Sequence, residues 1–151
     1  FMESGLTDAA VDVYSRAAKL APRNFAVAQS LGDAFRKRGK YEQAIGSYED
    51  ALKCDGKQPQ PYFGIGYCRA ALQDYEKAAE ATATYLDSVP EDVGALNNLA
   101  LYYEKLNRLD EAKRIWEKVK GLASASEAHR SRAEAHLATT SRPAAEPSKA
   151  P

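Results

Sequence analysis

Two histidines, two cysteines and a pair of glycines are the residues of this chain whose types and spacing invite chemistry. His129 and His136 lie seven residues apart. Helical metal ligands are spaced three or four apart, as in HExxH, so the two histidines make no metal site. Cys54 and Cys68 form neither a CxxC motif nor a disulfide framework. Each falls where an amphipathic helix wants a small or apolar residue, so both read as buried thiols. Gly64-Ile65-Gly66 opens like a phosphate loop, but no third glycine follows and no strand pattern precedes it. The acidic pairs Glu91-Asp92 and Asp110-Glu111 sit at helix starts, where negative charge suits the helix dipole, and are not arranged as a catalytic dyad. No Ser/His/Asp or Cys/His set can be assembled. The expectation is a protein that is not an enzyme, with no catalytic residue, no metal and no cofactor.

The elements that could position a binding site are legible in the spacing of small residues. The alanines of Tyr41-Glu42-Gln43-Ala44, Tyr75-Glu76-Lys77-Ala78 and Leu109-Asp110-Glu111-Ala112 are 34 residues apart each time, as are Leu31-Gly32, Ile65-Gly66 and Leu99-Ala100. A period of this size marks a solenoid, whose units bury their apolar faces by stacking on one another. Each unit reads as two amphipathic helices joined by a tight turn. Ala28, Leu31 and Phe35 make the stripe of one helix, Gly39 breaks it, and Tyr41, Ala44, Ile45, Tyr48, Ala51 and Leu52 make the next. Three complete units follow from this register, at 25–58, 59–92 and 93–126. Pro59 and Pro61 suit a helix start, and Pro90 closes a unit.

Residues 5–22 match the second half of a unit alone, through Ala10, Tyr14, Ala17 and Pro22. They predict the second helix of a truncated repeat, in a fragment of a longer array or with its first helix supplied by another molecule. Ser124-Ala125-Ser126-Glu127 reads as a capping box opening a final helix over 127–138, polar and alanine-rich as the end of a solenoid should be. The tail 139–151 has nothing to bury and predicts disorder.

Lys+Arg and Asp+Glu number 21 each, and the pI is 6.9. Without a basic excess, nucleic acid is not an expected partner. The run Arg36-Lys37-Arg38 reads as a solvated helix end. No apolar stretch approaches the roughly 20 residues that span a bilayer, so no membrane insertion is expected. Neutral charge fits cytoplasmic and periplasmic proteins alike, and the unpaired cysteines tip the expectation to the cytoplasm.

These units resemble the tetratricopeptide repeat, whose pattern is W-x2-L-G-x2-Y, then A-x3-F, then P. Ala28, Leu31, Gly32, Phe35, Ala44, Tyr48 and Ala51 match it in the first complete unit, Tyr62, Ile65, Gly66, Ala78 and Pro90 in the second, and Leu96, Leu99, Ala100, Tyr103, Ala112 and Trp116 in the third. Arg69 departs where an aromatic is usual, and at Thr82 and Tyr85 large and small have exchanged places. Two readings of Arg69 stand open: a stem covering Tyr85 with its charge in water, or a buried ion pair. The resemblance implies an all-α fold, a right-handed α-solenoid of antiparallel helix pairs.

It also implies a concave groove lined by the first helices, holding an extended peptide or a partner helix. Carried over residue by residue, that groove takes Gln29, Ser30, Asp33, Arg36 and Lys37, then Phe63, Gly64 and Tyr67, then Asn97, Asn98, Leu101, Glu104 and Lys105. Phe63 and Tyr67 lie off the core stripe, either as anchors for a partner or packed on their own neighbours. Asn97 and Asn98 can hydrogen-bond a peptide backbone, or simply be solvated. The places of a chaperone carboxylate clamp hold Gln29, Asp33, Gly64, Gly94 and Asn98, so of its lysines, arginine and asparagines one asparagine survives. The leading expectation is a non-catalytic protein- or peptide-binding module. The alternatives are a homo-oligomeric scaffold assembled through the helix at 5–22, and the regulatory arm of a larger enzyme.

Overall fold

In the computed structural model residues 2–140 are described, and they hold eight helices and no strand. The helices are α1 (Met2–Leu20), α2 (Phe25–Lys37), α3 (Tyr41–Cys54), α4 (Gln60–Ala71), α5 (Tyr75–Ser88), α6 (Val93–Lys105), α7 (Leu109–Gly121) and α8 (Glu127–Thr140). The helices form two compact units that divide between Pro90 and Glu91. In the first, α1 packs on α2, α2 on α3, α3 on α4 and α4 on α5, with a further contact between α2 and α4. In the second, α6 packs on α7 and α7 on α8.

The turn inside each repeat is built three times to one plan. The amides of Lys40, Asp74 and Arg108 donate to the carbonyls of Phe35, Arg69 and Tyr103, at 2.9, 2.9 and 2.8 Å. This six-residue closure ends a helix through one left-handed residue. Gly39 supplies it in the first repeat with φ +72°, whereas Gln73 and Asn107 take φ 62° and 57° at the same register. Helix starts are capped where the sequence allows: Asn24, Asp74 and Asp92 accept from the amides of Val27, Lys77 and Ala95.

The small residues close the crossings between paired helices. Ala44, Ala78, Ala100 and Ala112 are fully buried. A Cβ on Gly66 would lie 2.4 Å from Oγ1 of Thr82 and 3.3 Å from the carbonyl of Ala78. In the first unit Ala44, Ile45, Tyr48 and Cys68 form a core flanked by Phe35, Tyr41 and Ile65. In the second, Leu96, Leu99, Trp116, Val119 and Ala133 are buried.

Four expectations need correction. Cys68 is buried, but Cys54 is half-buried at the end of α3, its Sγ 4.0 Å from the carbonyl of Pro22. The cap of α8 is Ser126, whose Oγ accepts from the amide of His129, and Ser124 lies outside the helix. The helix also runs through Thr139 and Thr140, which were expected to begin the tail. The threonine hydroxyls return to the carbonyls of Ala135 and His136. The remainder of that tail lies outside the described residues. The ion pair pictured for Arg69 is not a buried one: its guanidinium sits 3.8 Å from Asp74, a partly exposed pair across the repeat turn.

Candidate functional site

Tyr48 organises the first unit. Its ring is fully buried between the backbones of α2 and α4, where Gly32 and Gly64 leave room for it. A Cβ on Gly32 would approach Cε1 of that ring to 2.5 Å, and one on Gly64 would approach Cζ to 2.4 Å. The phenol thus passes through the core and delivers its hydroxyl to polar residues of α2. It donates to Oδ1 of Asp33 at 2.6 Å and accepts from Nε of Arg36 at 3.2 Å. Burial, reinforced by Asp33 and opposed by Arg36, holds the phenol well above its ordinary pKa. Cys68 lies in the same core, and burial pushes its thiol up to about 11.

Arg36 carries this order to the surface. Its guanidinium lies 5.2 Å from the ring centroid of Tyr67 on α4, a cation–π distance, and 3.7 Å from Asp33. Tyr41 tilts against Tyr67 from the start of α3 at 6.4 Å. Tyr67 nevertheless remains 41% exposed, and the Asp33 side chain 43%. Asp33, Arg36 and Tyr67 therefore make one surface cluster whose geometry is fixed from beneath by Tyr48.

The other groove residues take different places. Lys37 is exposed one turn beyond Asp33. Gln29, one turn before it, is half-buried, and its Oε1 is buried without a hydrogen-bond partner. Phe63 is half-buried with its ring 5.2 Å from that of Tyr85. Thr82 itself turns its hydroxyl back to the carbonyl of Ala78 at 2.8 Å. In the second unit Asn97 is 6% exposed, with Oδ1 lacking a partner, while Asn98 and Leu101 are half-buried and Lys105 is exposed.

Sequence reasoning missed a second polar cluster, in α6–α8. The indole N–H of Trp116 donates to Oε1 of Glu104 at 2.7 Å. Nδ1 of His136 meets both oxygens of the same carboxylate at 3.0 and 3.1 Å, and its ring stacks on Trp116 with centroids 4.4 Å apart. One signal was available: Glu104 precedes Trp116 by 12 residues, the interval from Arg36 to Tyr48.

No described helix is long and apolar enough to cross a membrane. A family model described as "TPR repeat" matches residues 32–70, and one described as "Tetratricopeptide repeat" matches 63–119. A TPR repeat-containing protein of Methanocaldococcus jannaschii is 41% identical over 58 residues, 38% of this chain and 18% of that protein. One of Schizosaccharomyces pombe is 36% identical over 88 residues, 58% of this chain and 11% of its own length. The chain thus spans less than a fifth of the relatives it matches. Among solved structures, a tetratricopeptide repeat protein from Parabacteroides merdae aligns with TM-score 0.79 at 25% identity, covering 93% of this chain and 56% of that one. MamA aligns at 0.74 and 20%, covering 92% and 89%. The second TPR domain of human RPAP3, solved with the HSP70 peptide SGPTIEEVD, aligns at 0.65 and 23%, covering 77% and 93%. With the 34-residue register, the threefold turn and the small-residue crossings, these matches give one result: the chain belongs to the tetratricopeptide repeat family and has its all-α solenoid fold.

Proposed function

We propose that the chain is a non-catalytic interaction module that binds an extended peptide or partner helix across the face shared by α2 and α4. The observation that carries this reading is the Asp33–Arg36–Tyr67 cluster. Tyr67 offers an exposed aromatic already oriented by Arg36 and Tyr41, so little entropy is lost when a partner covers it. Lys37, exposed one turn beyond Asp33, extends the same stripe of α2. Asn98, Leu101 and Lys105 offer a second, separate contact surface on α6. Family membership supports a protein-binding role in general, and the peptide held by the RPAP3 domain illustrates one form of it.

The preferred ligand is internal peptide with an apolar side chain rather than an acidic chain end. Asp33 sets a half-exposed carboxylate at the centre of the cluster and would repel a terminal carboxylate. Phe63 contributes less than Tyr67, because its ring is engaged with Tyr85.

Selection from a displayed random-peptide library tests the reading, followed by titration of the selected peptides. Tyr67→Ala should weaken binding by about 2 kcal/mol while leaving the fold intact, since the side chain is exposed. Selected peptides that bind wild type and Tyr67→Ala equally well would remove the cluster from the site.

A further inference from the structure

Asp33 and Arg36 stand three residues apart on α2, a spacing at which side chains of one helix face meet. They nevertheless do not close a direct bond. Nη2 of Arg36 lies 3.7 Å from Oδ1 of Asp33, against about 2.7–2.9 Å for a charge-assisted hydrogen bond. The hydroxyl of Tyr48 stands between them, donating to that Oδ1 at 2.6 Å and accepting from Nε of Arg36 at 3.2 Å. Oδ2 of Asp33 and Nη1 of Arg36 bond to no described residue, and neither atom is buried. The two side chains are 43 and 29% exposed. An acceptor and a donor thus remain unspent beside the exposed ring of Tyr67.

The second polar cluster has no such surplus. Both oxygens of Glu104 meet Nδ1 of His136, and Oε1 also takes the indole proton of Trp116.

We propose that the Asp33–Arg36 pair reads a carboxamide, the side chain of an asparagine or glutamine in the partner peptide, and that Tyr48 is the positioning residue that holds the pair open for it. This inference rests on the reading of the α2–α4 face as a peptide site and names the side chain that the site selects. One carboxylate and one guanidinium sum to zero, so an incoming cation is opposed by Arg36 and an incoming anion by Asp33. A carboxamide is uncharged and carries an N–H donor and a carbonyl acceptor side by side, which answer Oδ2 of Asp33 and Nη1 of Arg36. A trans main-chain peptide unit points its N–H and C=O to opposite edges, so a single unit cannot meet both. An apolar neighbour of the carboxamide residue then covers Tyr67. Without the Tyr48 hydroxyl, Asp33 and Arg36 would turn to each other and spend the groups a partner needs.

A displayed random-peptide library selected on the 151-residue chain is the probe, and the peptides it yields should share an asparagine or glutamine at one position. Replacing that residue by its acid, or by an apolar residue of the same length, should weaken binding to wild type about tenfold or more. Tyr48→Phe keeps the buried ring and should bind the carboxamide peptide and its replacements alike. Asp33→Ala reads the same discrimination from a partly exposed position, outside the core. With the carboxylate gone and Arg36 in place, the acid-bearing peptide should become the tighter of the two. Selected peptides with no shared carboxamide, or replacements that weaken binding less than about threefold, would overturn the proposal. So would a Tyr48→Phe protein that still discriminates, since a residue that only supports the fold weakens every peptide by one factor. Tyr67→Ala separates this inference from the reading beneath it. If that variant loses affinity for all the peptides while the carboxamide proves irrelevant, the site stands and the carboxamide falls. If it loses none, or the library yields no binder, both fall together.

Discussion

Substituting alanine for Gly64 places a new carbon 2.4 Å from Cζ of Tyr48, 2.5 Å from Cε2 and 2.9 Å from Cε1. Carbon atoms in good contact lie about 3.5–4.0 Å apart, so α4 or the ring must move by more than an ångström. The ring has no free direction. A Cβ on Gly32 would come equally close, 2.5 Å from Cε1, and at the ring's tip the hydroxyl is tied to Asp33 at 2.6 Å. Overpacking of this kind costs about 1–3 kcal/mol. Alanine regains about 0.5–1 kcal/mol over glycine in a helix interior, so the net loss lies within about 0–2.5 kcal/mol, and a 2.4 Å approach to a buried ring places it in the upper half of that range. Gly46 provides the control, because it lies inside α3 and a Cβ there meets nothing within 4 Å. Gly46→Ala should therefore stabilise by about 0.5–1 kcal/mol. Urea unfolding of both variants reads the pair. Midpoints that move in the same direction, or a Gly64→Ala protein as stable as wild type, would refute the reasoning that Tyr48 is wedged between α2 and α4.

Two further outcomes follow from the turns and from α8. Gln73→Gly should stabilise the protein by about 1 kcal/mol, because a non-glycine side chain at φ 62° is strained. Asn107→Gly should gain less, since asparagine tolerates that conformation, and thermal midpoints that fall in both variants would count against it. His136→Ala removes the stack on Trp116 and the bond to Glu104, so amide exchange in α8 should quicken about tenfold or more, for a loss of about 1–2 kcal/mol. Unchanged exchange in α8 would show that Ala133 and its neighbours hold the helix without the histidine.

Where a signal recurred at the repeat interval, it was legible in the sequence. The alanine and glycine crossings and the helix pairs follow from the 34-residue register, and Gly39 announces the first turn by its own chemistry. Gln73 and Asn107 do not, since neither residue type demands a left-handed backbone, and register with Gly39 is what exposes them. The engagement of Phe63 was hidden for a different reason. Its neighbour Tyr85 sits in a slot usually given to a small residue, so the family pattern places no ring there to meet Phe63. His136 was set aside as a residue of a weak helix. Its partners are 20 and 32 residues away, so no local pattern carries the stack on Trp116 or the bond to Glu104.

One slot in the second helix of each repeat governs the polar chemistry of the first helix, and it does so from behind. Tyr48, Thr82 and Trp116 occupy that slot, each 34 residues from the next. Twelve residues before them stand Arg36, Ala70 and Glu104. Where the slot holds an aromatic with a polar end, the residue on the first helix is charged and bonded to it: Arg36 donates to the Tyr48 hydroxyl, and Glu104 accepts from the Trp116 indole. Where the slot holds threonine, the hydroxyl turns back to Ala78 and the position on the first helix is an alanine. The sign of the charge follows the chemistry of the ring. A phenol oxygen can receive a guanidinium proton, whereas an indole offers a donor alone and calls for a carboxylate. Arg36 is thereby held over Tyr67, while Glu104 is held under His136. The same geometric device serves a surface cluster in one unit and the attachment of the last described helix in the other, and the residue in the slot sets which charge each receives.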